Sequence, residues 1–511
     1  MKDQIKRDRT ERPNILLITT DQQRFDHLGL KGVRGIDTPN LDRLGREGVH
    51  FDRAYTSCPI CTPARVSLLT GQYPSVHGAY SIGVKADPFP SPTIADRMVA
   101  HGYSTALFGK THFVPRKDEA SHVAGIPSPS PEFFRNFHGP YAGFQNVQVS
   151  SGHTTNAIPD MHYRVFLEDA GVDYAKWFPD VNGRHDHDAA GPWNIPPEYH
   201  DTTWVSGNSI QWIKDRATDD DPWFCWASFQ DPHEPFLCPE PWYSSVRQDE
   251  IRIFEDASPN EFDDKPPFYG EECASIHMGA GLEPFNDGHG VPSSFRRRKL
   301  DEKAFECLRA TLGMVAFLDD RVGAIIRTLE ETGQADHTLV VFTTDHGEIH
   351  GHHGFWHKGL MAYDDCQRIP MLAWGPGLVK KVGTTSAIAN LVDLPRTFLS
   401  VAGIDIPQGM QGADLSPVLR GETASVQDST VIELQATCKV YQQTFVTDRY
   451  KLIAYRDSDY GELYDMDADP DQYINLWGKA EYSEVKSKLM YRFLQKNMLR
   501  EGVVKHRKAF A

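Results

Sequence analysis

The sequence predicts an α/β fold, because short apolar runs of strand length alternate along the chain with helical stretches. Two of these apolar runs have the same pattern, because each is followed by an aspartate. Asn14–Thr20 is followed by Asp21, and Leu339–Thr344 is followed by Asp345. Active sites of open α/β sheets form at the ends of the strands, so the two aspartates mark a candidate site. The same observations therefore predict the fold class and the place where its chemistry is located.

A long amphipathic helix is predicted immediately before the second of these strands. Apolar residues recur there at helical spacing, and Gly333 follows as a stop signal. The recurring positions are Leu308, Leu312, Val315, Leu318, Val322, Ile325 and Leu329. We interpret this segment as a crossover helix that leads into the strand Leu339–Thr344.

The residue composition and the periodicity of apolar residues change several times along the chain, and these changes predict its domain organisation. Two long stretches are rich in Pro, Gly, His and Asn without clear periodicity, and we expect them to be insertions that shape a pocket. Near the C-terminus, short alternating runs such as Gln443–Thr447 and Tyr450–Tyr455 precede a helical stretch from about residue 481. The predicted divisions are a charged lead over 1–12, a main α/β domain over 13–404 with insertions near 116–200 and 239–300, and a C-terminal α+β subdomain over 405–511.

Composition and charge restrict the class of protein. The 511 residues are 40% hydrophobic and 24% charged, as in an ordinary globular protein with a large core. A net charge of −17 argues against nucleic acid as a partner. No apolar run reaches the roughly 20 residues of a membrane span, and the segment from Met1 to Arg7 is charged. We therefore expect no membrane partner and a cytoplasmic protein, although a periplasmic or secreted chain with its signal peptide removed would look the same.

The pair Cys58-Pro59-Ile60-Cys61 forms a C-x-x-C sequence, which in isolation suggests a redox pair or half of a zinc site. A four-cysteine zinc site would need a second pair. The remaining cysteines are scattered singly, at Cys225, Cys238, Cys273, Cys307, Cys366 and Cys438. Because a thioredoxin-like context is also missing from the sequence, the pattern favours a different role for Cys61.

The two strand ends offer the ligands of a mononuclear metal site. Asp21-Gln22 and Asp345-His346 supply two carboxylates, an amide oxygen and an imidazole. For either aspartate alone, a cap of the helix that follows is the favoured explanation. Taken together with Cys61, the four residues indicate metal binding.

The segment Cys61-Thr62-Pro63-Ala64-Arg65, followed by Leu68-Leu69-Thr70-Gly71, resembles the signature of the sulfatase family. In that family the cysteine is oxidised to formylglycine, whose hydrate attacks a sulfate ester. Further blocks resemble those of bacterial sulfatases, occur in the family order and cover nearly the whole chain. They are Gly109-Lys110-Thr111-His112, Pro232-His233-Glu234-Pro235-Phe236, Asp345-His346-Gly347-Glu348 with Gly351, His353-Gly354 and Lys358, and Glu462-Leu463-Tyr464-Asp465 through Asp469-Pro470 to Asn475-Leu476.

The resemblance implies an alkaline-phosphatase-like sandwich, with a large central mixed β-sheet flanked by helices and a smaller C-terminal α+β subdomain. It implies a sulfuric ester hydrolase that releases inorganic sulfate from a small aryl, alkyl or sugar sulfate. It also implies a maturation partner, either the formylglycine-generating enzyme or another sulfatase-maturating enzyme. The oligomeric state is not indicated by any sequence pattern.

Carried over by resemblance, the cation ligands are Asp21, Gln22, Cys61, Asp345 and His346. The cation is expected to be Ca²⁺, with Mn²⁺ or Mg²⁺ as alternatives. Gln22 stands where many relatives have Asp, and His346 stands where several have Asn. Imidazole tolerates softer metals such as manganese better than calcium does, so these two positions leave the identity of the metal open.

The resemblance also implies the catalytic roles. Arg65 would hold an oxygen of the hydrate, and Lys110 and Lys358 would bind the sulfate oxygens. His233 and Lys358 would protonate the departing alkoxide. His112 would take the proton from the remaining hydroxyl, which releases sulfate and restores the aldehyde.

Two alternatives remain at this stage. A phosphonate monoester or phosphodiester hydrolase uses the same nucleophile, and the Asp-Gln and Asp-His pairs point towards it, whereas Lys110 and His112 resemble the sulfatase anion pocket. The alternative of a different class is an inactive protein that binds sulfated ligands. That alternative is disfavoured because every predicted catalytic and metal-ligating position carries a residue that is capable of its role.

Overall fold

The computed structural model describes most of the chain. The described residues are 12–82, 92–114, 116–127, 129–151, 159–177, 189–252, 254, 260–269, 296–297, 301–435 and 441–500. Nearly all of the predicted charged lead, together with Cys273 and Cys438, lies outside these ranges. Within them, none of the helices combines the length and the apolar character that crossing a lipid bilayer requires.

The strands of the described residues are numbered in chain order. They are β1 (Asn14–Thr20), β2 (Val49–Tyr55), β3 (Ser104–Lys110), β4 (Asn146–Ser150), β5 (Ala190–Trp193), β6 (Trp223–Ser228), β7 (Phe236–Pro239), β8 (Arg296–Arg297), β9 (Thr338–Thr344), β10 (Phe355–Trp356), β11 (Met371–Trp374), β12 (Gly383–Asn390), β13 (Ser429–Gln435), β14 (Tyr441–Thr447), β15 (Tyr450–Tyr455) and β16 (Gly461–Asp465).

The α-helices are numbered in the same way. They are α1 (Pro39–Glu47), α2 (Cys61–Thr70), α3 (Pro74–His77), α4 (Ile94–Ala100), α5 (Arg116–Ala124), α6 (Pro131–Asn136), α7 (Met161–Asp169), α8 (Tyr174–Trp177), α9 (Asp201–Asp215), α10 (Trp242–Ser245), α11 (Glu302–Glu331), α12 (Asp364–Gln367), α13 (Asp393–Val401), α14 (Ser416–Leu419) and α15 (Ser483–Arg500).

A mixed eight-stranded sheet forms the centre of the protein, in the order β12-β2-β11-β9-β1-β6-β3-β4. The strands β9, β1, β6, β3 and β4 run parallel to one another. β11 is antiparallel to both of its neighbours, and β2 pairs in parallel with β12. The sheet is therefore mixed, as expected, and its parallel half carries the strands that the sequence singled out.

Both faces of the central sheet are buried, which explains why its strands are apolar along their whole length. Along β1, Ile15 and Leu17 pack with helices α2, α4 and α13 on one face. Leu16 and Ile18 pack with α1, α9 and α11 on the other face. The result is a sandwich of helices, sheet and helices, so the predicted α/β class is confirmed.

The predicted elements around the two aspartates are confirmed. The run Asn14–Thr20 is strand β1, and the second run is strand β9, which begins one residue earlier, at Thr338. The crossover helix is α11, and Gly333 lies two residues beyond its end with a positive φ of 68°. Glycine adopts this left-handed conformation at little cost, which suits a helix stop.

A smaller antiparallel sheet, β13-β14-β15-β16, follows near the C-terminus and packs against α15. This sheet is joined to the main body by a buried ion pair between Lys451 Nζ on β15 and Asp364 Oδ1 on α12, at 2.7 Å. Because α12 comes just after the segment that carries Lys358, the C-terminal sheet supports one side of the candidate site.

The two predicted insertions are described only in part. Within the first of them, near 116–200, β4 pairs in parallel with β3 and forms an edge of the central sheet. This part of the range therefore belongs to the core architecture. Sequence periodicity missed it because an edge strand of five residues is too short to stand out among its Gly-rich and Asn-rich neighbours.

Candidate active site

Four neighbouring parallel strands, β9, β1, β6 and β3, end at one place on the edge of the sheet. Thr20 pairs with Thr344, so Asp21 and Asp345 follow side by side. Lys110 is the last residue of β3, and Ser228 is the last residue of β6. The carboxyl ends of parallel strands meet at one edge, which is why residues that are far apart in sequence converge here.

The backbone next to these strand ends adopts rare conformations. Gly109 has a φ of +100°, and a Cβ atom at that position would lie 1.9 Å from the carbonyl oxygen of Ser228. Gln22 and His112 have φ values of +66° and +51°, which are uncommon for residues with a side chain. Non-glycine residues held in this region cluster at functional sites, where the surrounding structure compensates the strain.

Cys61 is the first residue of α2, a helix whose ten residues are all buried. Its Sγ lies 3.1 Å from His346 Nε2 and 3.2 Å from Lys358 Nζ. The Oδ1 atom of Asp21 is 3.9 Å from the same sulfur. A helix N-terminus also favours negative charge, so the sequence-predicted nucleophile stands in a cationic and polar environment.

The side chains of Asp21, Cys61, Asp345 and His346 place one ligand atom each within 4.8 Å of one another. His346 Nδ1 donates to the carbonyl oxygen of Gly347 at 2.9 Å, which leaves the lone pair of Nε2 directed towards Cys61. Two carboxylates, an imidazole nitrogen and a nearby amide oxygen are a donor set that fits a divalent cation. Four of the five predicted metal ligands are thus brought together, and the fifth, Gln22, accepts a hydrogen bond from Lys358 Nζ through Oε1.

Arg65 holds the two carboxylates in place from behind. Its Nε donates to Asp345 Oδ2 at 2.8 Å, and a terminal nitrogen donates to Asp21 Oδ2 at 3.2 Å. Its other terminal nitrogen donates to Ser228 Oγ at 2.8 Å. Arg65 is fully buried, so it acts as a fixed clamp on the ligand carboxylates.

Lys110 brings a second buried cation to Asp21. Its Nζ donates to Asp21 Oδ2, and its carbonyl oxygen accepts a hydrogen bond from Ser228 Oγ at 2.7 Å. Burial alone would raise the pKa of Asp21, but the charges of Lys110 and Arg65 hold that pKa well below its usual value. Asp21 is therefore ionised and competent as a metal ligand.

Lys358 and His233 form a hydrogen-bonded pair beside the nucleophile. The Nδ1 atom of His233 donates to the carbonyl oxygen of Glu234 at 2.8 Å, so the bare Nε2 accepts from Lys358 Nζ at 2.9 Å. Burial would lower the pKa of Lys358, but Cys61 and Glu234 raise it above its usual value. The hydrogen bond of this pair is therefore donated by Lys358 Nζ.

His112 lies two residues beyond Lys110 and is buried. Its pKa is lowered well below the usual value, first by burial and then by the charge of Lys110. Its Nδ1 atom has no hydrogen-bond partner among the described residues. A neutral imidazole with an unused nitrogen can accept a proton, which agrees with the role implied for His112.

Sequence reasoning missed three residues of the site, Ser228, Glu234 and Glu348. Ser228 bridges Lys110 and Arg65. The two glutamates contact Gln22 through its amide nitrogen. Both glutamates stand inside the matched sequence blocks, directly beside His233 and near His346, and this proximity is the signal that could have found them.

The redox and zinc interpretations of the C-x-x-C pair find no support in the described residues. Cys58 and Cys61 are both free thiols. Burial raises the pKa of Cys58 well above its usual value, which disfavours a reactive thiolate there. The metal-ligating groups found in the described ranges include Cys61 but not Cys58.

Comparison with known proteins agrees with the site. The family profile described as Sulfatase matches residues 13–404, and the profile described as N-sulphoglucosamine sulphohydrolase, C-terminal, matches residues 351–498. The chain belongs to the sulfatase family. It is a member of the alkaline phosphatase superfamily and an enzyme that hydrolyses sulfate esters.

Individual relatives cover nearly the whole chain. An arylsulfatase of Clostridium perfringens is 27% identical over 490 residues, covering 93% of this chain and 92% of the relative. An N-acetylglucosamine-6-O-sulfatase of Bacteroides thetaiotaomicron is 27% identical, covering 95% of this chain and 86% of the relative.

Among solved structures, a phosphonate monoester hydrolase of Silicibacter pomeroyi is similar with a TM-score of 0.76. It is 24% identical and covers 97% of this chain and 98% of that one. This likeness shows the shared fold and does not transfer the activity of that enzyme.

Proposed function

We propose that this sulfatase releases inorganic sulfate from a small aryl, alkyl or sugar sulfate, with formylglycine derived from Cys61 as its nucleophile. The observation that carries the proposal is the position of Cys61. Its Sγ lies 3.1 Å from His346 Nε2 and 3.2 Å from Lys358 Nζ, at the N-terminus of a buried helix. A nucleophile at this point is next to both the predicted metal ligand His346 and the proton donor Lys358.

The residues divide the work of the reaction between them. A divalent cation held by Asp21, Gln22, Cys61, Asp345 and His346 would supply Lewis acidity and would lower the pKa of a bound hydroxyl. The formylglycine hydrate would supply one oxygen for attack and a second hydroxyl for release. Arg65 orients the carboxylates of Asp21 and Asp345 through its two ion pairs.

Lys110 and Lys358 bind the sulfate oxygens and stabilise the charge that develops during transfer. Lys358 gives its proton to the departing alkoxide, and His233 orients the ammonium group by accepting a hydrogen bond from Lys358 Nζ at Nε2. His112 then takes the proton of the remaining hydroxyl while sulfate leaves. The proposed reaction therefore uses Lys358 as the proton donor and His112 as a separate proton acceptor.

The small size of the substrate follows from the charge of the protein and is supported by its relatives. With a net charge of −17, the chain has no long-range attraction for heavily sulfated polymers. Two relatives are named for an aryl sulfate activity and for the 6-O-sulfate of N-acetylglucosamine. Both names refer to sulfate esters, which the local cluster of cations in this site can bind.

The decisive experiment compares one preparation on an aryl sulfate, N-acetylglucosamine 6-sulfate, a phosphonate monoester and a phosphate diester. The fraction of Cys61 converted to formylglycine is measured first by peptide mass spectrometry, because unconverted enzyme would imitate an inactive one. We expect kcat/KM to be highest for a sulfate ester. If kcat/KM is instead highest for the phosphonate or the diester, the proposal is wrong. The Asp-Gln and Asp-His ligand pairs, which point towards a phosphonate or phosphodiester hydrolase, would then predict the activity correctly.

We propose Ca²⁺ as the resident cation, because four of the five proposed protein donors are oxygen atoms, namely those of Asp21, Gln22, Asp345 and the formylglycine derived from Cys61. Removal of the metal with a chelator is expected to abolish sulfate hydrolysis, and Ca²⁺ is expected to restore more activity than Mn²⁺ does. The measurement is the initial rate after titration of each metal into the stripped enzyme. Higher activity with Mn²⁺ would show that the imidazole of His346 governs the choice of metal.

We propose that the segment from Cys61 to Arg65 is the substrate of a sulfatase-maturating enzyme. All residues of this segment are buried in the folded protein. Expression with and without such an enzyme, followed by mass spectrometry of the Cys61 peptide, tests this proposal. Equal conversion in both cases would contradict it.

A further inference from the structure

The side chain of Gln22 lies between the nucleophile and two buried glutamates. Its Nε2 atom is 2.6 Å from Glu234 Oε2 and 2.5 Å from Glu348 Oε2. Its Oε1 atom accepts a hydrogen bond from Lys358 Nζ at 2.5 Å. Gln22 is 1% exposed, so each of its polar atoms depends on these protein partners.

The two ends of an amide group have nearly the same shape and opposite hydrogen-bonding character. An ionised carboxylate only accepts hydrogen bonds, so the two glutamates require the nitrogen end of Gln22 on their side. The oxygen end must then face Lys358 and the nucleophile. This arrangement matters because a divalent cation binds an amide through its oxygen and is repelled by its N–H groups.

Glu348 is itself fixed in orientation. Its Oε1 atom accepts the backbone N–H of His350 at 3.1 Å and that of His357. Only Oε2 is therefore directed at Gln22. The Oε2 atom of Glu234 that faces Gln22 also lies 2.9 Å from His233 Nδ1.

We propose that Glu234 and Glu348 are positioning residues, which hold the Gln22 amide so that its oxygen is presented to the metal. This inference rests on the proposed function, in which Gln22 is a ligand of the catalytic cation. It also explains why an amide occupies position 22. A carboxylate there would place a third negative charge within hydrogen-bonding distance of two others in a buried site.

Glu234, Glu348 and His357 also form a group that could hold a second cation. The geometry favours hydrogen bonding over that role. Both Oε2 atoms are already within 2.6 Å of the Gln22 nitrogen, and a cation at that point would face the N–H groups of the amide. The number of metal ions bound per chain separates the two interpretations.

The test is a double-mutant cycle between Gln22→Glu and Glu348→Gln, with Ca²⁺ affinity measured by calorimetry on chelator-treated enzyme. In Glu348→Gln, the backbone N–H groups of His350 and His357 hold the new oxygen, so the new nitrogen faces Gln22 and favours the flipped amide. In Gln22→Glu, a carboxylate faces two carboxylates. Each single variant is expected to bind Ca²⁺ about 10-fold to 100-fold more weakly.

The double variant is expected to recover an affinity within about 3-fold of the wild type, because its new amide donates to its new carboxylate. Glu433→Gln is the matched control, since Glu433 is equally buried but bonds to Ser75 at a distance from the metal ligands. This control is expected to bind Ca²⁺ as the wild type does. If Glu348→Gln does not fold, Glu234→Gln replaces it as the test of weakened binding.

Three outcomes would overturn the positioning role. They are wild-type affinity in Glu348→Gln, additive losses in the double variant, and two ions bound per chain. Tighter binding by Gln22→Glu alone would likewise show that simple charge governs the site and not amide orientation. A wild-type enzyme that binds no divalent cation would instead contradict the proposed function, so the two failures are distinguishable.

Discussion

Replacement of Cys61 by alanine is expected to lower kcat/KM for a sulfate ester by about 10⁴-fold or more, because it removes the nucleophile on which the other groups act. The protein should still fold, since the change leaves the buried pairs of Arg65 with Asp21 and Asp345 intact. The measurements are steady-state kinetics and thermal unfolding of the same preparation. The loss should appear in kcat, as expected for a group that acts during the chemical step.

Cys58→Ala is the matched control for this prediction. Cys58 is as buried as Cys61 and lies three residues earlier, but it packs in an apolar cluster with Ile60 and Leu434. Its loss should cost some stability and leave the turnover of folded enzyme within about 3-fold of the wild type. Equal loss of activity in both variants would revive the redox interpretation of the pair. Substantial turnover by Cys61→Ala would show that formylglycine is not the nucleophile.

Cationic side chains in the site explain how a protein with a net negative charge can bind an anionic substrate. The chain carries a net charge of −17, so bulk attraction does not concentrate sulfate esters near it. At the site, however, Arg65, Lys110 and Lys358 are all buried and converge on the nucleophile and its neighbouring carboxylates. In a water-excluded environment such cations act strongly over short distances. Recognition of the sulfate group is therefore local.

The sequence predicted the two strand ends well, because an apolar run followed by aspartate is a local pattern. Strands β1 and β9 and helix α11 were found where expected. What the sequence alone could not show was the register. The pairing of Thr20 with Thr344 places Asp21 beside Asp345, and that pairing depends on contacts across more than 300 residues of chain.

The roles of charged residues were harder to predict for a similar reason. By resemblance Arg65 was expected to hold the hydrate oxygen, whereas its hydrogen bonds go to Asp21, Asp345, Ser228 and the carbonyl oxygen of Lys110. Arg65 therefore also clamps the metal ligands. Glu348 was visible inside a matched block, but its contact with Gln22 spans 326 positions and emerges only in three dimensions.

Replacement of Lys358 by alanine is expected to lower kcat by about 10³-fold on an alkyl sulfate, because this residue combines two roles. Its Nζ lies 3.2 Å from Cys61 Sγ, the position of the nucleophile, and 2.9 Å from His233 Nε2, which accepts its hydrogen bond. The two roles are separable by the leaving group. A nitrophenolate needs little protonation as it departs, whereas an alkoxide needs a full proton transfer.

We therefore expect Lys358→Ala to lose much less activity on nitrophenyl sulfate than on an alkyl sulfate of similar size, with the difference residing in kcat. His233→Ala should show the same dependence on the leaving group, because it removes the hydrogen-bond acceptor that orients Lys358 Nζ. Lys110→Ala is the matched comparison, because Lys110 Nζ contacts Asp21 and should affect both substrates alike. Equal losses on both substrates in Lys358→Ala would assign this residue to sulfate binding alone, and protonation of the leaving group would then fall to His233.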